Sequence, residues 1–311
     1  MNATHGRPLP TTIPQYLDQL REALRDADPA LVQDALYDAE EYLRAELAAN
    51  QAQGAGGRSE AEVIASVAGS YGAPEEVADI YRQTEVTVSR ALRAPRPPAR
   101  RTLAGRFFGV AADPHTYGSL FYMLLSMATG IFYFTWVVTG ASLSAGLLVL
   151  IVGIPLLLLF LLSVRLLSLV EGRIVEVLLG ERMPRRPLYT QRDKPWLTRI
   201  GELFTDARTW TAAAYLLLML PLGIAYFTVV VTLLSVALAL MVAPLASLLG
   251  LGTAGIHVQG LAVDIAGNWW LALLSLLVGT LLLFVTLHVA RLVGRFHGWL
   301  AKHLLVRTAV V

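Results

Sequence analysis

Apolar residues recur at helical spacing through the first ninety positions and then fill long, almost unbroken runs. Ile13, Leu17, Leu20 and Leu24 lie on one stripe of an amphipathic helix, and Val32, Leu36, Ala39, Leu43 and Leu47 lie on a second that begins near Pro29. Residues 50–58, rich in Gly, Gln and Ala, form a flexible connection. Ser59 and Glu62 have the spacing of a capping box opening a third helix, which buries Val63, Ile64 and Val67. Tyr71-Gly72-Ala73-Pro74 ends that helix and starts a fourth carrying Val77, Ile80 and Tyr81.

Further along, residues 117–139 and 143–164 are each long enough to cross about 30 Å of hydrocarbon, with a tight turn over 140–146. A third span starts at Trp210 and a fourth covers 269–289. The expected fold is all-α: a small helical bundle over 1–89, a basic Pro/Arg linker over 90–106, and a four-helix membrane domain over 107–311. The apolar stretch 212–251 is too long for one span and contains Pro244. An interfacial or re-entrant helix is therefore expected over 236–250, followed by an outer loop with His257, Gln259, Asp264 and Asn268.

Charge sets the orientation. All 25 Lys and Arg fall before Gly109, between Arg165 and Arg208, or from Arg291 onward. Basic segments near span ends stay in the cytoplasm, so both termini are expected inside a bacterial inner membrane. The first 89 residues carry fifteen acids against six Arg, whereas 90–106 adds six Arg and no acid. In that linker Arg100 and Arg101 join Arg106 and the later Arg199 as candidates for anionic headgroups, worth about 1 kcal/mol each. Cysteine is absent, which excludes disulfides and thiolate chemistry. No continuous apolar core of a cleavable signal peptide is apparent near the N-terminus.

A shift of 93 residues superposes Asp113-x-x-Thr116 on Asp206-x-x-Thr209, Tyr122 on Tyr215, and the run from Gly130 through Tyr133 to Thr139 on Gly223 through Tyr226 to Thr232. Arg106 matches Arg199 in the same register. At the other ends, Arg165-Leu166 with Gly172 recurs loosely as Arg291-Leu292 with Gly298. The membrane domain thus reads as two hairpins in parallel orientation, over about 106–180 and 199–305. Each Asp is placed to cap the first helix of its hairpin.

The head's order of motifs, from Tyr16-Leu17 and Ala23-Leu24 through Asp38, Glu40 and Glu41 to Ser59-Glu60-Ala61-Glu62 and Gly72-Ala73-Pro74-Glu75-Glu76-Val77-Ala78, resembles the HAAS (HTH-associated α-helical signalling) domain. That family accompanies PadR-type regulators, so the resemblance implies a protein-binding role and a cytoplasmic partner such as a PadR-type transcription factor or a kinase. The paired Asp-x-x-Thr starts, with Pro221-Leu222-Gly223 and Val152-Gly153-Ile154-Pro155, make the body similar to the four-span sensor domain found ahead of bacterial histidine kinases. This resemblance implies perception of an envelope or lipid signal without enzymatic chemistry.

No catalytic or phosphate-binding motif is present, and no cofactor is expected. Asp34, Asp38 and Glu41 share a face of the second helix that either receives a basic partner or is simply solvated. His257 and Asp264 make a thin outer pair for a proton or metal. His288 sits within an apolar helix, one turn from Arg291, as a sensing group or a hydrogen-bonded structural histidine. The repeat tyrosines and threonines either line a cavity or pack the helices. The leading reading is a membrane sensor that relays a signal through its head. Its rival is a small transporter or transporter subunit, disfavoured because the expected spans lack strongly polar residues; a third reading is a scaffold that self-associates. Direct nucleic-acid binding is not expected.

Overall fold

The computed structural model describes residues 10–52, 59–92, 102–150, 152–186, 201, 204–249, 255–258, 261–264 and 268–306. Among these the fold is all-α apart from one short hairpin. The head contains α1 (Ile13–Ala23), α2 (Pro29–Ala52), α3 (Glu60–Ser70) and α4 (Pro74–Leu92). Thr12 caps α1, and the Ser59–Glu62 capping box closes in both directions at the start of α3. Leu17, Leu20, Leu24, Leu43, Ile64 and Val77 meet in one apolar core. Tyr16 is buried there and donates to the Gly72 carbonyl (2.8 Å), while Tyr42 stacks on Tyr71.

Burial pushes the Tyr16 and Tyr81 phenols above the ordinary tyrosine value. A raised folded value means the folded head retains protons that the unfolded chain releases. The contribution is therefore full below about pH 10 and lost as the pH climbs through the folded values. Alkaline titration of helicity should show this loss, and Tyr16→Phe should reduce it while costing about 1 kcal/mol at neutral pH.

The body comprises α5 (Leu103–Phe108), a 3₁₀ turn (Gly109–Ala112), α6 (Pro114–Leu147), α7 (Gly153–Leu179), α8 (Ala207–Leu248), the strands β1 (Gly255–Val258) and β2 (Leu261–Asp264), and α9 (Trp269–Leu305). Four of these helices, α6 to α9, are long and apolar enough to cross a membrane, so the chain is a multi-pass membrane protein.

Two expectations require correction. The first turn begins only after Leu147, because Gly140 and Gly146 both fall inside α6. No break occurs over 236–248: α8 runs unbroken for 42 residues with Pro221 and Pro244 inside it. Proline removes the bond to the carbonyl four residues earlier, which for Pro244 is that of Leu240. Ser275 of α9 donates to that same carbonyl (2.8 Å), so the helix continues without an orphaned acceptor. The loop beyond it contains the antiparallel β1–β2 hairpin, with His257 opposite Ala262 and Gly255 opposite Asp264.

Helices α6 and α8 cross at glycines that are 93 positions apart. A Cβ on Gly130 would lie 2.5 Å from the Met219 carbonyl oxygen, and one on Gly223 would lie 2.3 Å from that of Ser126. Ser126 and Met219 are themselves 93 positions apart, so each glycine admits the other helix at the equivalent point. Gly223→Leu should force the helices apart and lower thermal stability in bicelles by about 3 kcal/mol, whereas Gly146→Ala, with open space around it, should be neutral.

Candidate functional site

Reciprocal ion pairs tie the hairpins together at the head side. Asp206 accepts from the Arg208 backbone N–H at the start of α8 and pairs with Arg165 of α7 (2.8 Å), which also donates to Thr209. Asp113 accepts from the His115 backbone N–H at the start of α6 and pairs with Arg291 of α9 (2.9 Å). Each arginine therefore reaches the other hairpin's aspartate. Thr116 is buried without a hydrogen bond, so this pairing is not fully symmetric. From Arg165 beside Asp206, α7 travels to Gly118, whose Cα faces Leu178. From Arg291 beside Asp113, α9 travels to Arg208, which donates to the Leu305 carbonyl. The two exit helices thus pass in opposite directions between the starts of α6 and α8.

Between them lies a buried polar cluster. Glu171 of α7 and His297 of α9 are both 0 % exposed. Tyr122 donates to Glu171 Oε1 (2.6 Å), Tyr133 to Oε2 (3.0 Å), and Tyr215 lies 3.3 Å from Oε1. His297 Nε2 lies 2.6 Å from the Tyr122 hydroxyl and 2.8 Å from that of Tyr215, and Nδ1 lies 3.3 Å from Tyr226. One set of donors satisfies the whole cluster. The carboxylate accepts from Tyr122, Tyr133 and Tyr215, His297 Nε2–H donates to Tyr122 and Tyr215, and Tyr226 donates to Nδ1. The repeat tyrosines Tyr122/Tyr215 and Tyr133/Tyr226 thus form a cage around one acid and one imidazole.

The head is fastened to the segment that leaves α7. Asp34 of α2 is 5 % exposed. Its Oδ1 accepts from the backbone N–H groups of Arg185 (2.7 Å) and Arg186 (2.9 Å), and its Oδ2 pairs with Arg182 (3.0 Å). Gln33 donates to the Arg186 carbonyl, Asp38 pairs with Arg186, and Glu85 of α4 pairs with Arg182. Asp28 meets Lys302 at the end of α9, and Ala30 packs into the apolar cluster that contains Met183, Ala301, Tyr122 and Tyr215. Burial raises the Asp34 carboxyl above the ordinary value, against the opposing pull of the Arg185 and Arg186 amides and Arg182.

Of the residues singled out in the sequence, Asp34 and Asp38 meet the chain's own arginines, while Glu41 is exposed. His288 bonds the Phe107 carbonyl (3.1 Å) and packs on its ring. His257 and Asp264 stand in the β1–β2 hairpin, opposite Ala262 and Gly255 respectively. Arg106 falls in α5; Arg100, Arg101 and Arg199 lie outside the described residues. Among the described residues no group of three or more His, Asp or Glu is arranged to hold a metal.

Sequence reasoning missed Glu171 and His297. The expectation that the spans lack strongly polar residues fails because α7 and α9 continue toward the head past Arg165 and Arg291. A signal was present: the offset of 126 that relates Arg165-Leu166 to Arg291-Leu292 also relates Glu171-Gly172 to His297-Gly298.

No curated protein and no solved structure matches the chain. Residues 122–305, which contain every member of the cage, match the family described as "Putative sensor". That match spans more than half of the 311 residues, and the chain belongs to this sensor family.

Proposed function

We propose that the chain is an inner-membrane signalling protein in which the body receives an envelope or lipid-state signal and the head, cytoplasmic and HAAS-like, relays it to a regulator. The observation that carries this reading is the Asp34 clamp on Arg182, Arg185 and Arg186, which follow directly on the helix that holds Glu171. A displacement of α7 against α9 alters the cage and the clamp together. Release of the clamp exposes Asp34 and Asp38 as an acidic face for a basic partner, a PadR-type factor or a kinase. The reporting part is then held in check by the receiving part. Cross-linked capture with the full-length protein should recover such a regulator, and deletion should change transcription of its targets. Recovery of no regulator together with wild-type transcription after deletion would refute the proposal.

The buried Glu171–His297 pair favours a second reading, a proton- or solute-conducting body, since ionisable groups within spans also mark conduction routes. Proton or solute flux into proteoliposomes, abolished by Glu171→Gln, would establish that reading in place of the first.

A further inference from the structure

A cleft of about 250 Å³ opens on the first hairpin, walled by Trp136, Gly140 and Ser144 of α6 and by Leu156, Phe160 and Ser163 of α7. The Phe160 ring lies against Gly140, where a Cβ would come within 2.3 Å of it. At the deeper end Trp136 Nε1 donates to Ser163 Oγ (2.8 Å), which donates in turn to the Phe160 carbonyl (2.6 Å). Those polar groups are satisfied.

The other end is different. Ser144 is 0 % exposed, lines the cleft, and its hydroxyl has no hydrogen-bond partner. Ser119 and Ser126 on α6 bond back to their own helix, to the His115 and Met123 carbonyls, whereas Ser144 shares its lack of a partner with Thr116 at the opposite end of α6. A buried hydroxyl left without a partner costs about 1–3 kcal/mol. An orphaned hydroxyl at the mouth of an otherwise apolar cleft therefore calls for a ligand with a long apolar part and a hydrogen-bond acceptor at one end.

Position selects the source of that ligand. Leu143 and Leu159 beside the cleft are more than half exposed on a membrane-spanning hairpin, so the surrounding medium is lipid. Ser144 lies three residues before the end of α6, about 5 Å from the turn at 1.5 Å per residue, and Phe160 and Ser163 lie farther from it. We propose that the cleft binds one acyl chain of a glycerophospholipid from the leaflet opposite the head, with its ester carbonyl accepting from Ser144 Oγ. This assigns a lipid site to the membrane face farthest from the clamp, independently of what the head does.

The test uses full-length protein in nanodiscs of phosphatidylethanolamine and phosphatidylglycerol, doped with a phospholipid bearing a photoactivatable group in one acyl chain. After irradiation, adducts should concentrate on the peptides containing residues 136–144 and 156–163. Ser144→Ala should lower that yield about fivefold, the factor that one hydrogen bond supplies, with the fold intact. Ser144→Phe, which fills the cleft, should abolish it. Adducts spread equally over the lipid-facing residues of α9 such as Leu273 and Leu277, and unchanged in Ser144→Ala, would overturn the proposal. Preferential labelling of the cleft by a photoactivatable free fatty acid, with none from the phospholipid, would overturn the diacyl assignment.

Discussion

Glu171→Ala should destabilise the membrane body by about 3 kcal/mol or more, because it strands the buried hydroxyls of Tyr122, Tyr133 and Tyr215 without their shared acceptor. Each orphaned donor in a site closed to water costs about 1–3 kcal/mol, and the three losses overlap because the tyrosines can partly re-pair with His297. Denaturant unfolding in bicelles reads the difference. Glu171→Gln keeps one acceptor oxygen but turns a donor toward at least one tyrosine, and should fall between the wild type and the alanine variant. Tyr133→Phe removes a single bond and should cost about 1 kcal/mol. A Glu171→Ala protein as stable as wild type would show that the cage is not what joins α7 to α6 and α8.

The second large effect is expected at the clamp. Asp34→Ala leaves the Arg185 and Arg186 amides without their acceptor and Arg182 with Glu85 alone, and breaking a buried pair from one side costs about 3–5 kcal/mol. The remaining Glu85–Arg182, Asp38–Arg186 and Asp28–Lys302 pairs and the Gln33 bond hold the head less tightly, so it should leave the body more often than in the wild type. Faster tryptic cleavage after Arg182 and Arg185 than in the wild type reports this directly. Acid should not reproduce the effect. Since burial raises the Asp34 carboxyl in the docked state, its contribution is full below the ordinary value of about 3.9 and diminishes as pH rises through the docked value. Acidification from neutrality therefore leaves this contact in place, and Asp34→Asn, which mimics the protonated group, should release the head less than Asp34→Ala.

The sequence showed the duplicated hairpins because Gly130/Gly223 and Tyr133/Tyr226 recur at a fixed offset, and the structure gives that recurrence a cause. The glycines admit the crossing of α6 and α8, and of the tyrosines Tyr133 reaches the Glu171 carboxylate and Tyr226 the His297 imidazole. What stayed hidden depended on tertiary partners. Arg165 and Arg291 read as span ends because a lone arginine marks an interface, yet each is neutralised by the opposite hairpin's aspartate, and the helices run on to Glu171 and His297. Pro244 read as a break because the donor that rescues its helix, Ser275, lies in another span. The acidic stripe on α2 was visible, but its partner was not, since the Arg182–Arg186 segment has no periodicity of its own to place it beside the head.

Coupling between the cage and the clamp is the central claim, and hydrogen exchange on full-length protein in nanodiscs tests it most directly. Glu171→Gln touches no head residue, yet it should accelerate exchange at the backbone amides of Arg185 and Arg186 and along the face of α2 that carries Asp34. Faster exchange confined to α6, α7 and α9, with Arg185, Arg186 and α2 protected as in wild type, would contradict it.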